Sequence, residues 1–380
     1  MKIFLAFLQA KRQHPIPACD FWSYYIKNGI EEAGHLWIEC PEVDWAYGLV
    51  PKTREQQQKW EDEAWTKTLK SLKQNPPDIF LSYLYPQQIV PTAVAEIKQM
   101  GIPCVNFFCD HVREFNKVPK EFSVFDLTWV PEHKATIWYK KAGYPYLNLP
   151  MPMWVEPERR RPKEETNNRV TFIGSKDVQR AILFDEIINK DPQFPLTVYG
   201  NGWQKTKAMQ ETIPEISLST KITFNLNILK KQGLVPYLRK LRQRGMEHRT
   251  HEGLDANVPP SFEKYNELIT GSMIALGVNR YPSYRFPLYR PDTYSRLRDI
   301  EAPMLGACYL TEWAEGIENL YEVGNEIFVY HSVDELMNQA SLLSNAPGKR
   351  RELRLKGQMR ALRDHNIPNS INRVISSLNV

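Results

Sequence analysis

Several groups of residues in this 380-residue chain carry side chains suited to chemistry. Arg298 and Glu301 stand at the head of Met304-Leu305-Gly306-Ala307-Cys308-Tyr309-Leu310, a near-continuous apolar run. Charged side chains entering a buried unit need partners, and a polar ligand is one kind. A guanidinium fork matches phosphate oxygens, and a carboxylate offers only acceptors, so it suits hydroxyl donors. The same spacing also fits a plain i, i+3 pair on one helix. Asp110, His111 and Arg113 follow the apolar run Pro103–Phe108. Asp110 or His111 suits a general base or a group that orients a substrate. The alternatives are a helix N-cap and a packed loop imidazole. Gly174-Ser175-Lys176 follows Val170–Ile173 and precedes a helical segment containing Arg180. Glycine there lets the backbone approach a ligand, and a helix N-terminus favours an anion; a simple turn reads the same way. Tyr199-Gly200-Asn201-Gly202-Trp203 also follows an apolar run. It lines or stacks on a base, or it is a glycine turn with a packed Trp.

The elements that position these residues follow from periodicity. Short apolar runs at 2–8, 35–40, 78–83, 103–108, 125–130 and 146–149 read as strands, and the intervening segments 21–33, 52–74, 91–100 and 133–142 as helices. Pro150 to Asn168 breaks the pattern with four prolines and Arg159-Arg160-Arg161, and reads as a linker. The alternation then restarts with strands at 170–173, 196–199 and 272–278 and a helix at 178–189. The stretch from Arg298 to Leu336 reads as helix, strand, turn, strand and helix start. Residues 347–363 form a basic helix and 368–378 a terminal one. Strands alternating with helices, with few tight hairpins, imply an α/β chain with parallel sheets. The expected domains are 1–150, a linker at 151–168, and 169–367 with a basic insertion at about 205–262; helix 368–380 is expected to pack back on the first domain. Ligands of such sheets bind outside the carboxyl ends of the strands, where Asp110, His111 and Arg113, Gly174-Ser175-Lys176 and Tyr199–Trp203 fall.

Net charge is +5, too modest to argue for nucleic acid or membrane by itself. Its distribution is uneven. Residues 230–252 hold seven Lys/Arg (230, 231, 239, 240, 242, 244 and 249) against Glu247 and Glu252, with Leu234, Leu238 and Leu241 along one helical face. This basic amphipathic segment suits an anionic acceptor, a membrane surface or nucleic acid, or it is a solvated helix. Tyr281, Tyr284, Arg285, Phe286, Tyr289 and Arg290 form a second aromatic and basic cluster. The five cysteines have no C-x-x-C spacing, as expected of free thiols in a reducing compartment. Ile3–Leu8 is short for a signal-peptide core and no run approaches a membrane span, so a cytoplasmic location is expected.

Residues 298–336 also carry a family pattern. Arg298, Ile300, Glu301, Gly306, Leu310-Thr311, Tyr321, Gly324-Asn325-Glu326 and Asp334-Glu335-Leu336 resemble the CgeB-like, glycosyl transferase group 1 family. Val170–Ser175 with Arg180, Val198-Tyr199-Gly200 with Trp203, and Pro77-Asp78 to Asp110 resemble it too. The resemblance implies two Rossmann-like domains facing a cleft, the GT-B fold. It implies transfer of a sugar from a nucleotide-diphosphate sugar, with no cofactor and no metal; no Asp-x-Asp occurs in the chain. By the resemblance Glu301 accepts from the ribose hydroxyls and Arg298 sits near the diphosphate. Backbone amides around Pro303 to Ala307 help there, opposite Gly174, Ser175 and Arg180. One departure stands out. Many retaining enzymes of this fold carry two Glu eight residues apart, but here the place eight before Glu301 is Thr293, with Asp292 one position off. The stereochemical outcome stays open. Rival readings are a non-catalytic carbohydrate or structural binding protein of this fold, an enzyme glycosylating modified DNA, and a nucleotide-sugar epimerase.

Overall fold

The computed structural model describes residues 1–10, 19–50, 52–204, 229, 233–243, 251–281 and 291–378. The chain divides into two compact units, Met1–Pro157 with Ala361–Val380, and Glu158–Arg360.

The first unit runs β1 (Lys2–Ala6), α1 (Cys19–Glu32), β2 (Leu36–Glu39), α2 (Arg54–Gln74), β3 (Ile79–Ser82), α3 (Pro91–Gln99), β4 (Cys104–Phe107), α4 (His111–Glu114), β5 (Leu127–Val130), α5 (His133–Ala142) and β6 (Tyr146–Asn148). Its six strands are parallel, in the order β2-β1-β3-β4-β5-β6. The inner strands are apolar without alternation because both faces are covered. Aromatic rings fill much of the core: Phe4 stacks on Phe80, Phe7 on Phe107, and Trp129 meets Phe107 edge-on.

The second unit runs β7 (Val170–Ile173), α6 (Val178–Lys190), β8 (Leu196–Tyr199), α7 (Leu234–Gln243), β9 (Asp255–Asn257), α8 (Phe262–Gly271), β10 (Ile274–Gly277), α9 (Arg298–Met304), β11 (Tyr309–Glu312), α10 (Ile317–Leu320), β12 (Phe328–Tyr330), α11 (Val333–Ser344) and α12 (Pro347–Asp364). These strands are also parallel, in the order β12-β11-β10-β7-β8-β9. The order reverses between β7 and β10, which is where an open α/β sheet leaves a crevice. Val170, Phe172, Leu183, Phe184, Leu196 and Ile274 belong to the core beneath it. The last helix, α13 (Ile367–Leu378), packs on α1 of the first unit.

The proline-rich 151–168 segment, expected as a linker, is held down along its length. Met151, Met153 and Val155 are buried, and the Thr166 amide donates to the Gly271 carbonyl at 2.7 Å. Alternate apolar residues among the prolines give it something to bury. The segment about 205–262 is not wholly an insertion, because its Asp255–Asn257 pairs with β8 as an edge strand. Most of the rest of that segment lies outside the described residues, as do Tyr284, Arg285, Phe286, Tyr289 and Arg290.

The basic helix α12 turns two of its arginines inward. Arg350 binds Glu165 through Nε at 2.8 Å, and Arg354 donates to the carbonyls of Thr270, Ser272 and Gly306 at 2.5–3.2 Å. Arg354 thereby ties α12 to the end of α8 and to the α9–β11 turn. Replacing Arg354 by Ala leaves three carbonyls without this donor and Glu165 with one cation fewer. Removing one partner of such a buried charged network typically costs about 3–5 kcal/mol. The Arg354→Ala melting temperature is expected to fall by several degrees, and Arg354→Lys, lacking the fork, is expected to recover little of it.

Candidate functional site

The loops after β7 and β8 lock together through their backbones. The Gly174 amide donates to the Tyr199 carbonyl at 2.8 Å and the Lys176 amide to the Asn201 carbonyl at 2.8 Å. Gly200 has φ +149°, and a Cβ there would lie 2.2 Å from the Gly174 carbonyl oxygen, so only glycine fits. Its amide donates to Asn257 on β9. Trp203 is a correction to the stacking alternative. It is buried against Phe184, and its Nε1 donates to the Gly174 carbonyl at 2.7 Å, so its ring faces the core and not a base. Ser175 is exposed at the tip, and Tyr199 is partly exposed.

Arg180 curls back over this loop. Its Nη1 donates to the Ser175 carbonyl at 2.6 Å, its Nε lies 3.2 Å from Asp177, and its guanidinium sits over the Phe172 ring. Asp177 caps α6 by accepting from the Arg180 amide at 2.9 Å. Burial, and after it the neighbouring charge of Arg296, hold the Arg180 pKa down at about 10; Arg298 pushes the same way and Asp177 opposes. Three guanidiniums therefore share one neighbourhood at the β7–β10 crevice.

Arg296 and Arg298 are held there by α9 and the loop before it. Arg298 donates to the Ile173 carbonyl at the end of β7 at 3.0 Å, lies over the Tyr265 ring, and approaches Glu301 at 3.5 Å. The plain i, i+3 pair foreseen for Arg298 and Glu301 thus exists. Glu301 Oε2 also accepts from the Tyr265 hydroxyl. Arg296 donates to the Arg280 carbonyl at 2.7 Å and covers the Tyr294 ring. Its Nε is buried with no hydrogen-bond partner among the described residues.

Asp299 fixes this loop. It is fully buried and accepts from five donors: Tyr309 and Thr311 hydroxyls at 2.8 and 2.9 Å, Ser295 at 2.8 Å, Asn279 Nδ2 at 3.0 Å, and the Arg296 amide at 3.2 Å. Burial raises its pKa, and the hydrogen bonds from Ser295, Tyr309 and Thr311 oppose that. Sequence reasoning passed over Arg296, Asp299, Tyr265 and Asn279. Asn279 was within reach, since it stands two residues past β10 at the carboxyl end.

The amides expected to help a diphosphate are a second correction. Those of Leu305, Gly306 and Ala307 donate to Glu301, Pro303 and Ala302 within the end of α9. A helix end closes on itself this way, leaving no donors for an anion. Gly306 and Ala307 shape the turn into β11.

In the first unit, Asp110 follows β4 and is partly exposed. The Tyr83 hydroxyl donates to its Oδ2 at 3.2 Å, the Tyr85 hydroxyl donates to the same oxygen, and Arg113 lies 4.0 Å from Oδ1. Burial raises the pKa of both tyrosines, keeping them as donors. His111 differs from expectation. It has no exposed surface; Nδ1 pairs with Glu132 at 3.0 Å and Nε2 with the Tyr139 hydroxyl at 2.7 Å. Burial drives its pKa down to about 3, so the pair is a neutral imidazole donating to a carboxylate. With both nitrogens engaged it orients the loop and does not exchange protons with a substrate. Among the described residues, no group of three His, Cys, Asp or Glu side chains is arranged to hold a metal.

Residues 251–376 match the family model described as glycosyl transferase-like. No curated protein matches the chain in sequence. Among solved structures the chain is similar to sucrose-phosphate synthase from Thermosynechococcus elongatus, with TM-score 0.59 and 11% identity over 99% of this chain and 98% of that one. It is similar to Anabaena HepE in complex with UDP, with TM-score 0.56 and 13% identity over 99% and 100%. A glycosyltransferase from Rickettsia africae gives TM-score 0.58 and 9% identity over 98% and 97%. This chain has the GT-B fold. The family match spans β9 to α13 of that GT-B framework and includes Arg296, Arg298, Asp299 and Glu301.

Two predictions test these arrangements. Asp299→Ala leaves five donors, three of them fully buried, without this acceptor, at about 1–3 kcal/mol for each buried one that finds no substitute. Asp299→Asn keeps the shape and is expected to recover part of the loss in melting temperature. For His111, the unfolded chain takes up a proton below the ordinary value of 6.5, while the folded ring stays neutral down to about 3. Stability is therefore complete above pH 6.5 and falls as pH drops through that window, by up to about 1.4 kcal/mol per unit. Melting temperatures between pH 7 and 4.5 are expected to fall less steeply in His111→Gln.

Proposed function

We propose that this protein is a glycosyltransferase that takes its sugar from a nucleoside-diphosphate sugar. The observation that carries the reading is the grouping of Arg180, Arg296 and Arg298 at the carboxyl end of β7 and β10, with Glu301 beside them. Like charges held together favour an anion that spreads negative charge over several oxygens, and a diphosphate does so. Glu301, an acceptor-only group already bonded to a hydroxyl, suits the ribose hydroxyls next to that diphosphate. The Gly174–Ser175 tip and Tyr199 approach the donor from the facing loops.

In this reading the three guanidiniums stabilise the charge that builds on the nucleoside diphosphate as the glycosidic bond breaks. Asp110 acts on the acceptor, as a base or as a group that aligns its hydroxyl, and His111 holds the Asp110 loop. The CgeB-like residue pattern supports a place in that subgroup. The buried free thiols Cys40, Cys104, Cys109 and Cys308 suit a cytoplasmic setting. UDP-sugars are the first donors to test, because HepE, which shares the fold, was solved with UDP and with UDP-glucose.

The test is a thermal-shift series with UDP-, GDP-, ADP- and dTDP-sugars, followed by donor turnover. A bound donor at about 100 times its dissociation constant adds roughly 2.7 kcal/mol of stability. Arg296→Ala is expected to weaken donor binding about 10- to 100-fold, the worth of a charged hydrogen bond. Glu301→Ala is expected to abolish turnover, and Asp110→Asn to lower kcat with the donor KM kept. No shift with any nucleotide-sugar defeats the donor site; a shift without transfer or hydrolysis favours a binding protein.

A further inference from the structure

Asp110 stands where a helix cap would, directly before α4, yet its side chain makes no capping hydrogen bond. What holds it comes instead from the end of β3. The Tyr83 and Tyr85 hydroxyls both donate to Oδ2, while Oδ1 has Arg113 at 4.0 Å. The two tyrosines are two positions apart just past β3, where an extended chain sends alternate side chains the same way. Their rings stack at 5.7 Å, and Phe107 and Phe108 meet them edge-on at 4.9 Å. Leu84 between them is locked to β4: its amide donates to Asn106 Oδ1 at 3.0 Å, and its carbonyl accepts from Asn106 Nδ2 at 3.2 Å. The Tyr85 amide donates to the buried Gln88 side chain at 3.0 Å. Burial, more than any neighbouring charge, pushes both phenols well above their ordinary pKa, so they stay donors at neutral pH.

We propose that Tyr83 and Tyr85 are positioning residues for sugar transfer: together they turn Asp110 so that its Oδ1 receives the hydrogen bond of the incoming acceptor hydroxyl. The inference rests on the sugar-transfer reading and deepens it, naming the atom of Asp110 that meets the acceptor and the groups that aim it. The carboxyl torsion of an aspartate is broad, so a single donor leaves the group free to swing. Two donors converging on one oxygen hold it. Satisfying the phenols does not need this arrangement, since a backbone carbonyl serves a buried hydroxyl as well. A carboxylate costs more to keep in a partly buried place than a neutral acceptor does. Its use here, with no helix capped and one oxygen turned away from the phenols, fits a partner from outside the chain. His111 does not compete for that role, because both of its ring nitrogens are taken.

The experiment is a double-mutant cycle on release of UDP from UDP-glucose, or of the nucleoside diphosphate from whichever nucleotide-sugar raises the melting temperature most, with water as the acceptor. Tyr83→Phe combined with Tyr85→Phe keeps both rings and removes both hydroxyls. The pair is expected to lower kcat about 10- to 100-fold, as a misplaced reacting group does, with donor KM and donor-induced thermal shift at their wild-type values. In an Asp110→Ala background the same pair is expected to lower kcat no further, because the tyrosines then have nothing to act through. Tyr85→Phe alone carries the cycle if the pair melts below the assay temperature. Unchanged kcat in the Phe variants overturns the proposal, as does an equal loss with and without the Asp110 carboxylate, or a loss confined to donor KM. These outcomes leave the sugar-transfer reading standing, since the wild type decides that. A wild-type protein that no nucleotide-sugar stabilises and that releases no diphosphate defeats the reading, and the positioning roles fall with it.

Discussion

A negative charge buried without any exposed surface has to be matched by donors from several directions, and Asp299 meets that requirement with five. A carboxylate is the one side chain that accepts at every lone pair and donates at none. Its partners come from three separate places: Asn279 just past β10, Tyr309 and Thr311 on β11, and Ser295 and the Arg296 amide on the loop before α9. The network therefore sets the distance between two strand ends and the path of the loop that crosses them. Arg296 and Arg298 stand three and one positions before Asp299, so the same anchor fixes where both guanidiniums emerge. In a low-dielectric interior a fully satisfied network rigidifies its surroundings, and a partly satisfied one destabilises them.

That rigidity matters because the arginines repel one another. Burial first, and then the neighbouring charge of Arg296, hold the Arg180 pKa down at about 10. Asp177 and Glu301 offset part of the positive charge at the edges of the group. Left mobile, three long side chains would swing apart into solvent. Held by carbonyls of Ser175, Ile173 and Arg280, they stay together. An anion arriving there gains attraction and also relieves repulsion already present, and no side chain has to be gathered first. Functional sites commonly hold such locally unfavourable arrangements at the expense of stability elsewhere.

Most of the framework was legible because parallel strands covered on both faces leave unbroken apolar runs. Val170–Ile173 and Leu196–Tyr199 coincide with β7 and β8, and His133–Ala142 with α5. The edge strand Asp255–Asn257 was not legible: a three-residue, polar edge has neither run nor alternation. The site was half legible. Arg298, Glu301, Gly174 and Arg180 stand at one crevice. Asp299 gave no signal, since its importance lies in partners twenty positions upstream and twelve downstream at Asn279 and Thr311. Trp203 and the amides of Leu305–Ala307 were misplaced for a related reason. Residue type shows what a group can bind, but only the folded chain shows that Gly174 and the α9 carbonyls already bind it.

Asp110 and His111 make the same point in opposite directions from adjacent positions. Burial removes water from His111 on every side, and Glu132 and Tyr139 take its two nitrogens, so its chemistry is confined to the loop it supports. Glu132 also accepts from the His111 amide at 2.6 Å, which pins the first turn of α4 directly after Asp110. Asp110, one residue earlier, keeps a partly exposed carboxylate. Its Oδ2 is held by two tyrosine hydroxyls, which leaves Oδ1 as the oxygen turned toward Arg113. A carboxylate fixed at one oxygen has its remaining oxygen aimed in a defined direction. The buried histidine thus supports the partly exposed aspartate through the backbone they share, and a pair that reads in sequence as two alternative bases resolves into an accessible carboxylate and a buried support.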